Sequence, residues 1–200
     1  MSRHDDETTP GRMARRKIYD GRIVHLSLDT VRFPGGDSGE LELITHPGAS
    51  AVVPFLDPPN STDPRLVLIH QYRYAAGGEI YEIPAGIPHS PSESWEACAR
   101  RELSEETGFE AGDLRYLSRI YTTPGFTDEV IHLFAATDLA PGRTSRDADE
   151  FMEVVTLPLS RVLAKIRTGE IVDAKSLCAI LFAASFLETV WPERRSPPPR

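Results

Sequence analysis

Short runs of apolar residues separated by polar breaks occur along most of the chain and predict β-strands. Residues 17–45 contain extended runs interrupted by Gly35, Gly36 and Asp37, a pattern typical of an antiparallel β-meander of two or three strands. Such a meander is marginally stable alone and needs a partner surface. Strands are also expected over residues 51–55, 65–72, 79–83, 114–121, 129–137 and 151–157.

A helix is predicted to follow these first strands, from residue 90 onward. Ser90, which precedes a proline, is expected to be the N-cap, with Glu93 completing a capping box and Gly108 ending the helix. Two further helices are expected over residues 160–168 and 174–190. Mixed strands with segregated helices indicate an α+β fold or a three-layer sandwich.

The predicted helix carries two carboxylates on the face that its apolar residues mark as buried. At about 100° per residue, Glu102 and Glu106 share a face with Trp95 and Cys98. Ionised carboxylates directed at a core repel each other and lose hydration, so they need a compensating cation. Mg²⁺, a hard cation with oxygen ligands, meets that need and commonly serves phosphate substrates. Glu105 lies at the edge of the same face, where it could reach a second ion.

The same residues have a simpler interpretation. A charged surface helix stabilised by pairs four residues apart, such as Arg101 with Glu105, is the commonest setting for such a run. The inward direction of Glu102 and Glu106 disfavours an interaction protein with a merely acidic helix.

Composition limits the classes of partner and location. The 200 residues are 40% hydrophobic and 26% charged, which is ordinary for one compact domain with a sizeable core. The net charge of −8 argues against a nucleic-acid binder. Neither a signal peptide nor a membrane span is expected, because the longest nearly apolar run, residues 177–187, falls short of about 18–20 residues. Two cysteines are too few for a disulfide framework, which favours the reducing cytoplasm.

The stretch from Gly86 to Phe109 resembles the Nudix box, G-x5-E-x7-R-E-U-x-E-E-x-G-U, in which U is a bulky apolar residue. Every specified position from Glu93 onward matches. One departure lies upstream, where six residues instead of five separate Gly86 from Glu93. The additional residue could shift Gly86 and Ala85 relative to the metal ligands.

The resemblance implies the Nudix α/β/α sandwich, preceded here by the antiparallel β-meander. It also implies hydrolysis of a nucleoside diphosphate linked to another moiety, dependent on Mg²⁺ or, as an alternative, Mn²⁺. Glu93 and Arg101 would form the structural pair of the box, and Glu105 would take part in catalysis. The metal ligands that it implies are Glu102, Glu105, Glu106 and the carbonyl of Ala85.

Three features outside the box are similar to the ADP-ribose pyrophosphatase branch of that family. The meander is followed by the sequence QYRY at residues 71–74 and by residues 79–86, and Pro124 lies fifteen residues beyond Phe109. The meander itself looks like the swapped N-terminal domain through which those enzymes form homodimers. The resemblance therefore implies a homodimer that cleaves ADP-ribose to AMP and ribose 5-phosphate. The substrate-binding residues that it implies are Arg73, Glu82 and Glu129.

The general base is expected in the acidic loop before the last strand. Glu150 is the first candidate and Asp149 the second, because members of the family often carry an acidic residue there. Ala148 stands where some relatives carry an acid.

The expected organisation is a tail without fixed structure over residues 1–14, a meander for dimerisation and substrate contacts over 15–48, a catalytic domain over 49–190 and a second tail over 191–200. Two alternatives remain open. One is hydrolysis of another nucleoside diphosphate sugar such as GDP-mannose. The other is a Nudix-fold sensor that binds a ligand without hydrolysing it, which the complete set of box acids disfavours.

Overall fold

A computed structural model of the chain describes residues 10–142 and 152–186. These residues form two compact units. The first unit contains the described residues up to Gly48 and the segment Tyr121–Val130. The second contains Ala49–Ile120 and the described residues from Ile131 onward.

The first unit is built on a three-stranded antiparallel sheet in the order β1–β2–β3. Its strands are β1 (Gly11–Asp20), β2 (His25–Arg32) and β3 (Ser38–Thr45). The predicted break between the last two strands is confirmed, because the Phe33 N–H donates to the Asp37 carbonyl at 2.8 Å and closes a tight turn. Gly36 occupies that turn at φ +94°, a conformation that side chains disfavour.

The meander begins earlier than the sequence predicts. Residues 11–14 were expected to belong to a tail without fixed structure, yet Gly11 pairs with Arg32 and Ala14 with Thr30. Every residue of β1 is exposed. An exposed strand has no buried face, so no alternation of apolar residues marks it in the sequence. The tails at residues 1–9 and 191–200 lie outside the described residues.

The second unit contains two sheets and three helices. The four-stranded sheet has the order β7–β4–β9–β8, with β4 and β9 parallel, and the three-stranded antiparallel sheet has the order β10–β5–β6. The strands are β4 (Ala49–Pro54), β5 (Arg65–Arg73), β6 (Gly78–Glu82), β7 (Ala85–Gly86), β8 (Phe109–Tyr121), β9 (Val130–Pro141) and β10 (Met152–Pro158). The helices are α1 (Trp95–Thr107), α2 (Leu159–Thr168) and α3 (Ala174–Ser185).

Strand β4 separates two hydrophobic clusters. Ala51 and Val53 pack into the larger cluster with Ile180 of α3, whereas Val52 packs into the smaller one with Leu103 of α1. Because successive residues of a strand face opposite sides, α1 and α3 cover opposite faces of the four-stranded sheet. The predicted α/β/α arrangement is therefore confirmed. Among the described residues, no helix is long and apolar enough to cross a membrane.

Helix α1 ends where the sequence predicts but begins later. Gly108 terminates it in the left-handed conformation at φ +76°, and its N–H donates to the Ser104 carbonyl. The predicted N-cap at Ser90 and its capping box are wrong. The N-cap is Ser94, whose hydroxyl accepts a hydrogen bond from the Ala97 N–H at 3.1 Å. The carboxylate of Glu93 instead accepts hydrogen bonds from the His89 N–H and from Arg101.

Candidate active site

The acidic face of α1 lies against the short strand β7, which pairs with β4 through Ala85 and Ala51. The Ala85 N–H donates to Oε2 of Glu106 at 3.1 Å. Glu106 is only 4% exposed, and Cys98 is fully buried on the same helix. The structure thus places Glu106 on the buried face that the helical spacing predicts, beside the residue whose carbonyl is the expected metal ligand.

Glu102 lies directly over Gly86. A Cβ atom at Gly86 would overlap the Glu102 carboxylate, so this carboxylate keeps its present position only while residue 86 has no side chain. The Cys98 thiol lies 3.4 Å from the Gly86 carbonyl. Burial and the negative charge of Glu102 raise the pKa of Cys98 to about 11, so this thiol stays protonated and fills space in the core.

Arg101 contacts three carboxylates at once. Its Nε and Nη2 atoms lie 3.0 and 3.3 Å from the two carboxylate oxygens of Glu93. Its Nη1 atom donates at 2.8 Å to both Glu102 and Glu105. Burial alone would lower the pKa of Arg101, but the hydrogen bonds to Glu93 and Glu105 raise it above its ordinary value. The hydrogen bond from Arg101 in turn holds the pKa of Glu93 below its usual range.

The additional residue between Gly86 and Glu93 does not separate β7 from the helix. Residues 90–93 form a turn in which the Glu93 N–H donates to the Ser90 carbonyl at 3.1 Å. Beyond this turn, Arg101 still reaches both Glu93 and the Ile87 carbonyl, the latter at 3.0 Å. With six residues between Gly86 and Glu93, the structure thus forms both the Arg101–Glu93 pair and the contact of Glu102 with Gly86.

The carboxylates of α1 offer a donor set suited to a hard cation. Within residues 10–142 and 152–186, no three His, Cys, Asp or Glu side chains are gathered closely enough to form a ready metal site. In this structure Arg101 bonds to both Glu102 and Glu105. The donors nevertheless fit Mg²⁺ because they are carboxylate oxygens. Arg101 pairs with three carboxylates, Glu93, Glu102 and Glu105, which leaves an excess of negative charge around one guanidinium.

A second charged group lies at the end of β6. The carboxylate of Glu82, whose side chain is 3% exposed, accepts hydrogen bonds from Nε and Nη2 of Arg73 at 2.9 and 2.8 Å. It also accepts bonds from Gln71 at 3.1 Å and from Lys175 at 2.8 Å. The structure thus brings together Arg73 and Glu82, two of the three residues expected to bind substrate.

The contacts within this group favour the ionised forms of both Glu82 and Arg73. Burial alone would raise the pKa of Glu82, but Arg73 and Lys175 lower it below its ordinary value. The pKa of Arg73 is raised, chiefly by its hydrogen bond to Glu82, with a further contribution from the negative charge of Glu106. Sequence reasoning missed Lys175 because it follows Glu82 by 93 residues and belongs to no motif.

Glu129 belongs to the first unit. It accepts a hydrogen bond from the Thr122 hydroxyl at 2.8 Å, and Nδ1 of His46 lies 3.5 Å from its other oxygen. The segment around Pro124 forms a turn in which the Phe126 and Thr127 N–H groups both donate to Thr123. The candidate general bases, Glu150 and Asp149, lie outside the described residues.

Comparisons with known proteins identify the family of this chain. Residues 46–179 match the NUDIX domain. The chain is 36% identical over 172 residues to an ADP-ribose pyrophosphatase of Bacillus subtilis (strain 168), covering 85% of this chain and 90% of that one. It is also 36% identical over 168 residues to a methanol dehydrogenase activator of Bacillus methanolicus, with 83% and 88% of the two chains covered.

A solved structure titled as that of an ADP compounds hydrolase superimposes with a TM-score of 0.77 and covers 90% of this chain and 95% of that one. Its sequence identity of 23% supports the fold alone. The matched domain contains the whole segment from Gly86 to Phe109, in which Arg101 and Glu93 form their pair and Glu106 bonds to Ala85. The chain belongs to the Nudix family.

Proposed function

We propose that this protein is a Mg²⁺-dependent pyrophosphatase that hydrolyses ADP-ribose to AMP and ribose 5-phosphate. The observation that carries the proposal is the contact of Glu106 with Ala85 and of Glu102 with Gly86, while Arg101 bonds to Glu93, Glu102 and Glu105. Similarity to the Bacillus subtilis ADP-ribose pyrophosphatase over most of both chains supports the choice of substrate.

The metal would be held by Glu102, Glu105, Glu106 and the carbonyl of Ala85, and Mn²⁺ could replace Mg²⁺ at such oxygen ligands. When bound, it would neutralise pyrophosphate charge and lower the pKa of a coordinated water. The chain's own residues orient the donors. The Ala85 N–H bonds to Oε2 of Glu106, and Nη1 of Arg101 bonds to both Glu102 and Glu105.

Arg73 is the proposed contact for an anionic group of the substrate. Two of its nitrogens are occupied by Glu82, while its side chain is 46% exposed and so remains accessible. A planar guanidinium suits phosphate oxygens, and the buried carboxylate behind it limits its rotamers. Glu82 would therefore orient Arg73, and Glu129 would contact the ribose or a metal.

Glu150 is the proposed general base, with Asp149 as the second candidate. Replacing each by its amide and measuring kcat against pH would identify the base. Replacing the residue that acts as the base should remove the fall of kcat at low pH, whereas replacing the other residue should leave this fall in place.

We further propose that the protein is a cytoplasmic homodimer. Strand β1 is an exposed edge of the first sheet, and the meander exposes several large apolar side chains. Exposed edges and apolar patches of this kind are suited to pairing with a second copy. These side chains are Met13, Ile18, Tyr19, Ile23 and Leu41. Cys98 and Cys178 are free, which supports a reducing location.

A substrate panel tests the proposed activity. The purified protein would be incubated with ADP-ribose, ADP-glucose, GDP-mannose and NADH, with Mg²⁺ or EDTA, and a phosphatase would report the phosphomonoester products. We expect metal-dependent hydrolysis with a preference for ADP-ribose. A preference for GDP-mannose would show that the proposed substrate is wrong. Binding without hydrolysis of any compound would favour a ligand sensor.

A further inference from the structure

The carboxylate of Glu82 has more partners than a substrate-binding pair requires. Oε2 accepts hydrogen bonds from Arg73, Gln71 and Lys175, whereas Oε1 accepts one from Arg73. Gln71 and Arg73 belong to β5, while Lys175 lies in the first turn of α3. Lys175 therefore anchors this carboxylate to α3, whereas Gln71 and Arg73 bind it from β5.

The first turn of α3 is itself firmly fixed. Asp173 caps the helix by accepting hydrogen bonds from the Ser176 N–H and hydroxyl at 3.0 and 2.6 Å, and Lys175 donates to the same carboxylate oxygen at 3.0 Å. The Ser176 hydroxyl accepts a hydrogen bond from the Ile83 N–H at 2.9 Å. Helix α3 thus holds both Glu82 and the residue that follows it.

We propose that Lys175 is a positioning residue that holds Arg73, through Glu82, in the orientation that receives an anionic group of the substrate. This inference rests on the proposed function and extends it to a residue that never touches the substrate. The Lys175 side chain is 12% exposed, so its ammonium is committed to Glu82 and Asp173.

Removal of Lys175 should affect Arg73 in two ways. Glu82 would lose its anchor to α3, so the carboxylate that orients the guanidinium could move. The cluster of Arg73, Lys175, Glu82 and Asp173 would also change from two cations and two carboxylates to an excess of one carboxylate. Both changes should weaken binding of an anionic ligand. A carboxylate without its partner cation can change position, and its negative charge repels an anion.

The test compares Lys175→Met with Lys175→Arg, and uses Lys165→Met as a matched control. Lys165 has a similar exposure of 19% and pairs with Glu170, outside this cluster. For the substrate preferred by the wild type, we expect Lys175→Met to raise KM about tenfold while kcat changes less than about twofold. Lys175→Arg should restore most of the wild-type KM, and the control should leave it unchanged.

A double-mutant cycle separates positioning from general stability. In an Arg73→Ala background, Lys175→Met should raise KM by less than about twofold further, because the residue on which it acts is gone. Additive effects of the two substitutions, or an unchanged KM in a folded Lys175→Met protein, would overturn the proposal. A fall in melting temperature without a rise in KM would show that Lys175 has a structural role only.

A measurement without substrate keeps this inference separate from the proposed function. The Nε–H signal of Arg73 in ¹⁵N NMR should exchange slowly in the wild type and in Lys175→Arg, and faster in Lys175→Met. An unchanged signal would contradict the positioning role. If the wild type hydrolysed none of the panel compounds, the proposed function would fail, yet this signal would still decide whether Lys175 holds Arg73.

Discussion

Arg101 and Glu93 form a two-bond ion pair, with Nε–Oε1 and Nη2–Oε2 distances of 3.0 and 3.3 Å, although Glu93 lies outside the helix that carries Arg101. The pair closes the turn of residues 90–93 against α1. The same guanidinium orients Glu102 and Glu105. One side chain therefore links the loop geometry to the proposed metal ligands.

Arg101→Lys should lower both stability and activity. A lysine ammonium cannot reproduce the planar arrangement by which Arg101 contacts Glu93, Glu102 and Glu105. We expect a loss of about 2 kcal/mol in the free energy of unfolding and more than tenfold in kcat. Arg100→Lys is the matched control, since Arg100 bonds to Glu96 on the exposed side of the same helix. If urea titrations and kinetics gave the two variants the same free energy of unfolding and the same kcat, Arg101 would not have the proposed role in orienting Glu102 and Glu105.

Glu106→Gln should abolish turnover and leave folding nearly intact. The amide oxygen of glutamine can still accept the Ala85 N–H, but the negative charge proposed to bind the metal is lost. The measurements are kcat at saturating Mg²⁺ and the thermal melting curve. Glu96→Gln, an exposed substitution on the same helix, should behave as wild type. A wild-type rate for Glu106→Gln would eliminate the metal assignment.

Gly86→Ala tests the close approach of β7 to α1. The new Cβ would overlap the Glu102 carboxylate, so Glu102 would have to move away from its place beside Arg101. We expect loss of activity with a lower melting temperature. Gly78→Ala is the control, because nothing lies within 4 Å of a Cβ built at that position. Normal activity of Gly86→Ala at every Mg²⁺ concentration would show that the position of Glu102 is unimportant.

The two cysteines should differ in reactivity and in their effect on stability at high pH. Cys178 is exposed and Cys98 is buried, so one thiol should react readily with Ellman's reagent at pH 8 in the native protein, and two after denaturation. In the Cys178→Ser variant the native protein should not react. Prompt reaction of that variant would contradict the burial of Cys98.

The sign of the alkaline effect follows from the raised pKa of Cys98, about 11 in the folded protein against about 8.5 in an unfolded chain. The stabilising contribution of this protonated thiol is fully present below about pH 8.5. It is lost as the pH rises towards about 11, because the unfolded chain releases its proton first. Cys98→Ala should therefore flatten the decline of the free energy of unfolding across that range. The same decline of the free energy of unfolding in Cys98→Ala as in the wild type would contradict a raised pKa of Cys98.

Deletion of residues 1–45 should break the proposed dimer and weaken substrate binding. The deletion removes the three strands of the meander and its exposed apolar side chains. Light scattering after size-exclusion chromatography would give the mass, and steady-state kinetics would give KM. A truncated protein that is monomeric yet has the KM of the full chain would refute the role of the meander.

The elements with a strong local signal could be predicted from the sequence. The helical period alone places Glu106 on the buried face of α1. Gly108 ends that helix because glycine adopts the left-handed conformation with the least steric strain. Apolar runs mark β4 and β5, which are buried, whereas residues 11–14 of β1 carry no such run and are exposed. The Nudix family was also recognisable from fixed spacing along one segment.

Tertiary structure decided what depends on residues far apart in the chain. The proline after Ser90 and Glu93 three residues later favour Ser90 as the N-cap in the local sequence. In the structure Ser94 takes that place, and the Glu93 carboxylate bonds to Arg101. Lys175 bonds to Glu82 across 93 residues, and the Glu102 carboxylate comes to lie over Gly86 because α1 packs against β7. Local periodicity determines which face of an element is buried, but the partner that each buried charge meets is set by packing between elements.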